Sequence, residues 1–381
     1  MTRRFDAGEL PYGVFSSPGG ESTPRVGVAV ADQILDLTTL SADPVFAAET
    51  LNPFMARGVD FWRATRDQIR DAVERGVGKY LPASSATMRL PVDVADFVDF
   101  NSSLQHATNA GLIFRPGADP VRPNWRLMPV GYHGRSGTVV VSGTPITRPC
   151  GQISDDVSVV FGPTRQLDVE AEVGFVIGQG SRPGERVSTS DFAAHVFGVV
   201  LVLDWSARDM QSLESVPLGP FLGKSFGTTI SEWVLPLDAL EAARVVAPEQ
   251  SPPPPEHLRV DGPAGYELRL EFELNGSVLS RPRFDAMYWT PSQQLAHLTS
   301  NGARLRVGDL FASGTVSDDA EFGSLLELSW NGSRPISLDD GSVRTFLQDD
   351  DEVVLSAAAV ARDGSRRWLG EARGSVAPAR Q

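Results

Sequence analysis

The stretch HVFGVVLVLD at residues 195–204 decides the fold class, because it is almost continuously apolar and then ends on an acid. A run of this length is typical of a β-strand that is buried on both faces of its sheet. Asp204 follows the run directly, so its carboxylate is expected at the mouth of a buried strand, where an unpaired charge is costly. The stretch therefore predicts a sheet-based core with an acid that needs a partner at one end.

Two further stretches predict hairpins on either side of this run. Residues 266–274 (YELRLEFEL) alternate apolar and charged side chains before Asn275-Gly276, which predicts a half-exposed strand entering a tight turn. Residues 26–37 alternate valines up to Ala31-Asp32 and then resume an apolar pattern, which predicts a second hairpin. With 36 glycines and 28 prolines, these patterns favour a mainly β (α+β) protein over a helical bundle.

The length of 381 residues exceeds what one small core usually serves, so we expect two domains, residues 1–90 and 91–381. In the first, a helix is predicted over residues 61–75, and residues 82–91 are expected to separate the two units. In the second, residues 247–256 include four consecutive prolines, which predicts an extended surface loop rather than a domain linker.

Charge and composition exclude several classes of protein. The net charge of −14 repels phosphate backbones and anionic membrane surfaces, so we expect neither nucleic-acid nor membrane binding. The sequence contains no apolar run of about 18 residues and no signal-peptide pattern, so we expect neither membrane insertion nor export. Cys150 is the single cysteine; it fits a reducing, cytoplasmic compartment and is expected to be buried.

Residues 167–175 (LDVEAEVGF) place two acids on one face of a predicted strand. Because side chains alternate along a strand, Glu170 and Glu172 project together while the apolar residues between them project oppositely. On a strand that faces solvent, this pattern would carry no function. Asp204 and Asp99 offer two more carboxylates from separate segments, and four such oxygen donors suit Ca²⁺ or Mg²⁺.

Ordinary structural roles compete with metal binding for these acids. Asp204 could pair with Arg208, four residues further along the chain, and Asp99 could cap a turn. A helical turn after Asp204 would also place Arg208 and Gln211 on the same side, three residues apart.

His106 is a candidate general base, although a lone histidine is usually structural and four others occur in the chain. A catalytic imidazole needs an orienting acid. Glu327 lies within LLELSW at residues 325–330, which reads as an apolar strand with one buried acid. The sequence by itself does not pair the two side chains.

Residues 223–227 (GKSFG) match the G-x-S-x-G pattern of serine hydrolases and part of a phosphate-binding loop. No glycine-rich oxyanion segment and no ordered Asp and His follow in an α/β context, and Gly219 lies one residue too close for the phosphate-binding pattern. We therefore expect neither a nucleophilic serine nor a nucleotide site.

Several segments, in order through nearly the whole chain, resemble the signature segments of the fumarylacetoacetase family. They are LPYGVF (10–15), HATN (106–109), PNW (123–125), GYHGR (131–135), DWSARD (204–209), PLGPFLGKSFGT (217–228), YWT (288–290), QQLAH (293–297) and LELSW (326–330). Ordered matches of this extent are far more specific than one short motif.

The resemblance implies a small N-terminal SH3-like barrel, a larger β-roll or mixed β-sandwich catalytic domain, and a homodimer. It also implies metal-dependent hydrolysis of a carbon–carbon bond in a small β-diketo acid. The expected substrate is 4-fumarylacetoacetate, which is split into fumarate and acetoacetate in tyrosine and phenylalanine catabolism.

The resemblance further implies a role for individual residues. The expected ligands of a Ca²⁺ or Mg²⁺ ion are Asp99, Glu170, Glu172 and Asp204. The expected catalytic groups are the base His106, its orienting acid Glu327, and the charge-stabilising side chains Arg208, Gln211 and Lys224. The expected substrate contacts are Asn101, Arg115, Gln211, Ser215 and Thr315, and a second cation is expected at Lys224 and Thr228.

The chain departs from the family pattern at the substrate contacts. Asn101 and Ser215 stand where the family has tyrosines, and Leu203 stands where asparagine is usual. Each lost hydrogen bond to a charged substrate group is worth about 1.5 to 3 kcal/mol. One alternative is therefore the same chemistry on a different diketone or acylpyruvate in secondary metabolism. A second alternative is a non-catalytic, metal- or ligand-binding β-sandwich.

Overall fold

The computed structural model describes residues 5–6, 8–17, 23–154 and 157–380. Its strands, numbered in chain order, are β1 (Tyr12–Ser16), β2 (Arg25–Val30), β3 (Gln33–Asp36), β4 (Lys79–Pro82), β5 (Thr87–Arg89), β6 (Phe97–Phe100), β7 (Gly131–His133), β8 (Val139–Val141), β9 (Ile146–Thr147), β10 (Cys150–Ser154), β11 (Val159–Pro163), β12 (Leu167–Ile177), β13 (Val196–Ala207), β14 (Thr228–Ile230), β15 (Leu235–Pro236), β16 (Arg244–Val245), β17 (Gly265–Tyr266), β18 (Leu268–Leu274), β19 (Ser277–Ser280), β20 (Leu310–Ala312), β21 (Ile336–Ser337), β22 (Val343–Arg344), β23 (Glu352–Val360) and β24 (Arg366–Ala377).

The α-helices are short apart from one. They are α1 (Asn52–Met55), α2 (Val59–Arg75), α3 (Leu104–Phe114), α4 (Phe192–His195), α5 (Arg208–Glu214), α6 (Pro291–Leu298) and α7 (Leu325–Leu328). Single 3-10 turns connect many of the strands, and a longer 3-10 helix spans Leu237–Ala243. Within the described ranges, no helix is both long and apolar enough to cross a bilayer.

The N-terminal part forms a five-stranded antiparallel sheet in the order β4-β3-β2-β1-β5, with α2 beside it. The predicted hairpin is confirmed, since β2 and β3 pair across Ala31-Asp32 and Ala31 adopts a φ of 56°. The predicted helix is confirmed as α2 and ends at Gly76, whose φ of 63° is the left-handed conformation that glycine adopts without strain.

Residues 82–91 do more than separate the two parts of the chain, contrary to the sequence prediction. Residues Thr87–Arg89 form β5, which pairs antiparallel with β1 at the edge of the N-terminal sheet. A strand of three residues is too short to show periodicity, so only its pairing partner reveals it.

The central sheet has the order β7-β6-β20-β12-β13-β14-β8, with β15 also paired to β13. Every residue of β13 is buried, which confirms the strand predicted from the apolar run, although His195 itself ends α4. Strands β12 and β13 pair antiparallel along almost their full length, so that Glu170 lies opposite Asp204.

A second sheet, in the order β19-β18-β23-β24-β9, covers the apolar face of the central sheet. Strand β18 alternates buried and half-buried residues and turns into β19 at Asn275-Gly276, both at positive φ, as predicted. Val169, Val173 and Phe175 of β12 share one core with the inward residues of this sheet. The architecture is therefore mainly β with two packed sheets. Cys150 is exposed, although the sequence analysis predicted that it would be buried.

Candidate active site

Strand pairing brings four acids from three segments to one point on the central sheet. Glu170 and Glu172 project from the same face of β12, and Asp204 on the neighbouring β13 lies opposite Glu170. Asp99 arrives on β6, which runs parallel to β20, itself paired with β12. Alternation along one strand predicted the shared face of Glu170 and Glu172, and the neighbouring strands bring Asp204 and Asp99 to it.

These four side chains form a compact and fully buried cluster. Asp99, Glu170, Glu172 and Asp204 are between 0% and 5% exposed, and each offers an oxygen that lies within 4.8 Å of the others'. Asp99 Oδ1, Asp204 Oδ1 and both oxygens of Glu172 have no hydrogen-bond partner in the described part of the chain. Buried oxygens without donors are costly, so the cluster is built to receive positive charge.

Two permanent cations lie on one side of the acid cluster. Lys224 Nζ donates to Glu170 Oε2 at 2.7 Å and to Asp204 Oδ2 at 2.5 Å. Arg208 Nη2 lies 2.7 Å from Glu170 Oε1, and its Nη1 donates to Gln211 Oε1 at 3.0 Å, as predicted for a helical turn. Glu170 therefore pairs with both Lys224 and Arg208, whereas Asp99 and Glu172 pair with neither.

This asymmetry separates the pKa values of the four carboxyls. Burial raises the pKa of Asp99 well above its usual range, and the charge of Asp204 raises it further. Burial and the nearby Asp99 do the same to the pKa of Glu172. Burial also acts on Glu170, but Lys224 and Arg208 outweigh it and hold the pKa of that carboxyl well below its usual range.

The predicted ion pair between Asp204 and Arg208 is not formed. Arg208 instead binds Asp168, with Nε donating to Oδ2 at 2.9 Å, while Asp204 accepts from Lys224 and from the Tyr132 hydroxyl at 3.0 Å. The reason is geometric, because Asp204 is still in β13 and Arg208 begins α5, where the chain changes direction.

His106 lies beside the cluster, and its imidazole ring is in hydrogen-bond contact with Glu327. Its Nδ1 is 2.8 Å from Glu327 Oε2, and its Nε2 is 3.8 Å from Glu170 Oε1 and 3.3 Å from Thr315 Oγ1. Burial lowers the pKa of His106, but the carboxylate of Glu327 outweighs burial and the net shift is upward. Burial acts to raise the pKa of Glu327, but the charge and hydrogen bond of His106 outweigh burial and lower that pKa.

Glu327 lies in the short helix α7 and not in a strand, contrary to the sequence prediction. Ser324 caps the helix, and both backbone N–H groups of Leu325 and Leu326 donate to the carboxylate of Asp168, at 2.8 and 2.9 Å. A four-residue apolar run is ambiguous between helix and strand, and here an acid more than 150 residues away decides it.

The side chains predicted to contact substrate are brought together only in part. Thr315 contacts His106, and Gln211 contacts Arg208. Ser215 donates to the Gln211 carbonyl, and the buried Oδ1 of Asn101 has no partner among the described residues. Arg115 donates to the Pro120 carbonyl at 2.6 Å, and none of its described hydrogen bonds reaches the acid cluster.

The two positions predicted for a second cation also lie at this point of the sheet. Thr228 of β14 lies opposite Asp204 in the strand register and is buried. Burial opposes protonation of Lys224, but Asp204 and Glu170 outweigh it and raise its pKa, so the side chain stays charged. Its ammonium group therefore cannot be a ligand, and a cation there would need oxygen atoms of Lys224 or Thr228.

Three further residues of this site were not singled out from the sequence as functional. Tyr132 donates to Asp204, Asp168 holds both Arg208 and the start of α7, and Asn109 Nδ2 donates to Glu327 Oε1 at 2.9 Å. Asp168 had a usable signal, since it begins the same alternating segment as Glu170. Tyr132 and Asn109 lie inside matched motifs but carry no pattern of their own.

The residues present fit a hard divalent cation. The donor set is made entirely of carboxylate oxygens, four of which lack hydrogen-bond donors. A cation among them would offset both the burial and the mutual repulsion that raise the pKa of Asp99 and of Glu172. Oxygen-only sets are the ligands that Ca²⁺ and Mg²⁺ prefer.

Fold and site together define a class of protein, namely mainly β proteins with a buried carboxylate cluster beside a histidine–carboxylate pair. The model of the fumarylacetoacetate (FAA) hydrolase C-terminal family matches residues 97–377, and that of the fumarylacetoacetase N-terminal family matches residues 8–93. The chain belongs to the fumarylacetoacetase family, whose members are hydrolases that act on carbon–carbon bonds.

Relatives and solved structures agree with this assignment. The chain is 45% identical to fumarylacetoacetase of Homo sapiens and 40% identical to that of Arabidopsis thaliana, each over 98% of this chain and 96% of the relative. Its fold is similar to that of a fumarylacetoacetate hydrolase from Exiguobacterium antarcticum, with a TM-score of 0.60 at 20% identity, covering 97% of this chain and 100% of that one. A maleylpyruvate hydrolase from Sphingobium sp. SYK-6, solved with manganese(II) and pyruvate, has a TM-score of 0.58 at 16% identity, covering 97% of this chain and 100% of the other.

Proposed function

We propose that this chain hydrolyses 4-fumarylacetoacetate to fumarate and acetoacetate, a step of tyrosine and phenylalanine catabolism. The observation that carries the proposal is the pairing of His106 with Glu327 at 2.8 Å, directly beside four buried carboxylates. The names of relatives that are 40–46% identical over 98% of the chain support the choice of substrate.

In this proposal, His106 takes a proton from water through Nε2, because Nδ1 is engaged by Glu327. The water oxygen bonds to one carbonyl carbon of the diketone, and the carbon–carbon bond to the neighbouring methylene then breaks. The electron pair of that bond leaves on the second fragment as an enolate, which regains a proton at carbon. One fragment departs as a carboxylate and the other as a ketone.

The neighbouring side chains have distinct tasks in this scheme. Glu327 fixes the imidazole ring and is itself held by donors from Asn109, Ser317 and Ser324, at 2.9 Å each. Arg208 and Lys224 place positive charge where the addition oxyanion and the leaving enolate develop, and Gln211 adds a hydrogen-bond donor. Arg208 and Lys224 are buried, so water does not screen their charge.

We propose Asp99, Glu170, Glu172 and Asp204 as the ligands of a Ca²⁺ or Mg²⁺ ion. When bound, the ion supplies Lewis-acid polarisation of the diketone oxygens and disfavours the protonated form of the nearby imidazole. The all-oxygen donor set and its unpartnered atoms support this assignment. A second cation near Lys224 and Thr228 belongs to the same proposal.

A second candidate is the same chemistry on another diketone or on an acylpyruvate. It is supported by Asn101 and Ser215, which offer no phenolic hydroxyl at two of the proposed substrate contacts, alongside Arg115, Gln211 and Thr315. Removal of two rings enlarges and reshapes a pocket, so a bulkier or less carboxylated substrate would fit.

One experiment separates the two candidates. The purified protein is supplied with Mg²⁺ or Ca²⁺, and loss of diketone absorbance is followed with 4-fumarylacetoacetate and a panel of acylpyruvates, with and without a chelator. We expect chelator-sensitive turnover with fumarate and acetoacetate as products. If another diketone is the better substrate, Asn101→Tyr with Ser215→Tyr should raise activity on 4-fumarylacetoacetate; an unchanged rate would reject the second candidate. No turnover of any panel member would leave only a binding protein.

The proposal also covers the domain division, the oligomeric state and the cellular location of the protein. Residues 1–90 and 91–381 would be two domains, of which the second carries the catalytic groups. The chain would act as a homodimer, supported by large apolar side chains that are exposed here, among them Phe161 at 77% and Leu218 at 96%. Its single cysteine, Cys150, is compatible with the cytoplasm. Sedimentation equilibrium tests the dimer.

A further inference from the structure

A cavity of about 380 Å³ lies between helix α2 and the central part of the molecule, and it shares no residue with the candidate active site. Val59 and Trp62 of α2 form one wall, Phe192 and Phe197 form another, and the segments around Leu237 and Tyr266 complete it. Cavities of this size accommodate small organic ligands, and such sites are common where two structural units meet.

The floor of the cavity is rigid and aromatic. The ring of Phe197 contacts those of Tyr12 and Trp62, at centroid distances of 5.6 and 5.2 Å, and Phe54 supports them from behind. The Tyr12 hydroxyl is buried and has no hydrogen-bond partner in the described part of the chain. A flat apolar group would pack well against these rings.

Six charged side chains line the cavity, and four of them form ion pairs with one another. Arg66 pairs with Asp238 at 2.8 Å, and Arg244 pairs with Glu241 at 3.3 Å. Arg66 also donates hydrogen bonds to the carbonyls of Leu10, Gly8 and Glu9, so this side chain links α2 to the N-terminal segment. These four groups are therefore already paired within the protein.

The remaining two are Arg63 and Asp261, which have opposite charges. Both line the cavity, both are exposed, and neither forms an ion pair with any residue in the described ranges. Trp62, Phe192 and Phe197 are buried, whereas Arg63 and Asp261 are exposed, so these two charged groups lie toward the mouth of the cavity. The cavity thus combines an aromatic interior with one positive and one negative group at the entrance.

We propose that this cavity binds a free α-amino acid with a hydrophobic, preferably aromatic, side chain. The carboxylate of the ligand would pair with Arg63 and its ammonium group with Asp261, while the side chain would lie against Trp62, Phe192 and Phe197. A ligand bound there would contact α2 and the central part of the molecule at once. It would stabilise their packing, because it binds the folded state only.

Isothermal titration calorimetry of the full chain tests the proposal with three probes that share one ring. L-phenylalanine carries both charges, 3-phenylpropanoate carries only the negative one, and 2-phenylethylamine carries only the positive one. We expect L-phenylalanine to bind once per chain and about two- to fivefold more tightly than either analogue, because each analogue lacks one of the two charged contacts. The melting temperature should rise with L-phenylalanine concentration.

Variants locate the binding. Arg63→Ala and Asp261→Asn should each weaken L-phenylalanine binding by about two- to fivefold, as expected for ion pairs at an exposed cavity mouth. Ala193→Trp, at an exposed position that lines the cavity, should abolish binding by filling it. Arg75→Ala removes the same charge from the same helix outside the cavity and should leave binding unchanged. Arg63→Gln, which preserves side-chain length, serves where Arg63→Ala lowers the melting temperature of the ligand-free protein.

Four outcomes would overturn the proposal. They are absence of binding at the highest soluble concentration, equal binding of either analogue, retention of binding in a folded Ala193→Trp variant, and loss of binding in His106→Ala. The last would place the ligand in the candidate active site. Because His106→Ala is expected to bind the amino acid normally while lacking activity, failure of this proposal is distinct from failure of the proposed function.

Discussion

Strands β12 and β18 carry nearly the same sequence pattern in opposite environments. Apolar and charged side chains alternate in both segments, residues 167–175 and residues 266–274. Every residue of β12 is buried, whereas β18 alternates buried and half-buried positions. Glu170 on β12 meets Lys224 and Arg208 out of contact with water, while Glu271 on β18 meets Arg281, which is 63% exposed.

The difference does not lie in strand pairing, since each strand has a neighbour on both edges. It lies in what covers the acidic face. On β12 that face is covered by His106 from α3, Glu327 from α7 and the segment that carries Lys224. A row of acids therefore becomes a functional site when separate segments exclude water from it, which alternation along one strand does not encode.

The largest expected difference between the two strands is in catalysis. We expect Glu172→Gln to lower kcat/KM for 4-fumarylacetoacetate by about 10³-fold or more, because loss of an ion that stabilises transition-state charge costs several kcal/mol. Bound metal, measured by plasma mass spectrometry, should fall with it. Glu271→Gln is the matched variant on β18 and should change neither quantity; an equal loss in both variants would contradict the comparison.

The second expected difference is in stability. Asp168 is 0% exposed and pairs with Arg208, so Asp168→Ala leaves a buried guanidinium without one of its partners and removes the acceptor for the Leu325 and Leu326 N–H groups. We expect the free energy of unfolding to fall by about 3 to 5 kcal/mol. In urea titrations, Glu271→Ala should lose less than about 1 kcal/mol, because its partner is exposed. Similar losses would mean that coverage does not set the strength of these pairs.

The third prediction concerns Glu327, one of the side chains that cover the acidic face of β12. Glu327→Gln keeps the size of the side chain but removes the charge that orients His106, so kcat should fall by about 10²-fold. Bound metal should be retained, since Glu327 is not among the four clustered acids. Glu321→Gln, six residues earlier, provides a control that should keep full activity. If Glu327→Gln lost the metal together with the activity, Glu327 would belong to the metal site and not to the base.

Local patterns predicted the elements that local physics determines. The Asn275-Gly276 hairpin, the buried strand β13 and the stop of α2 at Gly76 follow from backbone conformation and periodicity, and all are observed. Ordered motif matches supplied the four acids and the pairing of His106 with Glu327, which periodicity by itself left open.

The rest depended on contacts between distant segments. Leu325–Leu328 is a helix because Asp168 and Ser324 accept its first N–H groups. Asp204 does not pair with Arg208 because Asp204 lies in β13, whereas Arg208 begins α5, where the chain changes direction. Residues 87–89 form a strand only because β1 offers an edge. Asp168 and β1 lie far along the chain from the segments whose structure they determine, so no local pattern in those segments predicts their effect. Ser324 is different, because its Ser-x-x-Glu spacing to Glu327 is a local signal for the start of a helix.

The smallest predicted effect concerns Asp309, an acid whose environment lies between those of β12 and β18. It precedes β20, is 8% exposed, and accepts a backbone hydrogen bond from Arg306 at 2.7 Å. Burial raises its pKa from 3.8 to about 6, against the opposing hydrogen bond and charge of Arg306. The folded protein therefore holds this proton more tightly than the unfolded chain does. The stabilisation is complete below about pH 4 and is lost as the pH rises through about 6.

Asp309→Asn retains a hydrogen-bond acceptor but cannot ionise, so it does not lose this stabilisation. The melting temperature of Asp309→Asn minus that of the unmodified protein should therefore increase between pH 4 and pH 7, by a few degrees at most. Asp319→Asn, at an exposed loop position, should show a constant difference over the same range. A difference for Asp309→Asn that shrinks with rising pH would mean that the ion pair with Arg306 outweighs burial, and Asp309 would then resemble the acids of β18 rather than those of β12.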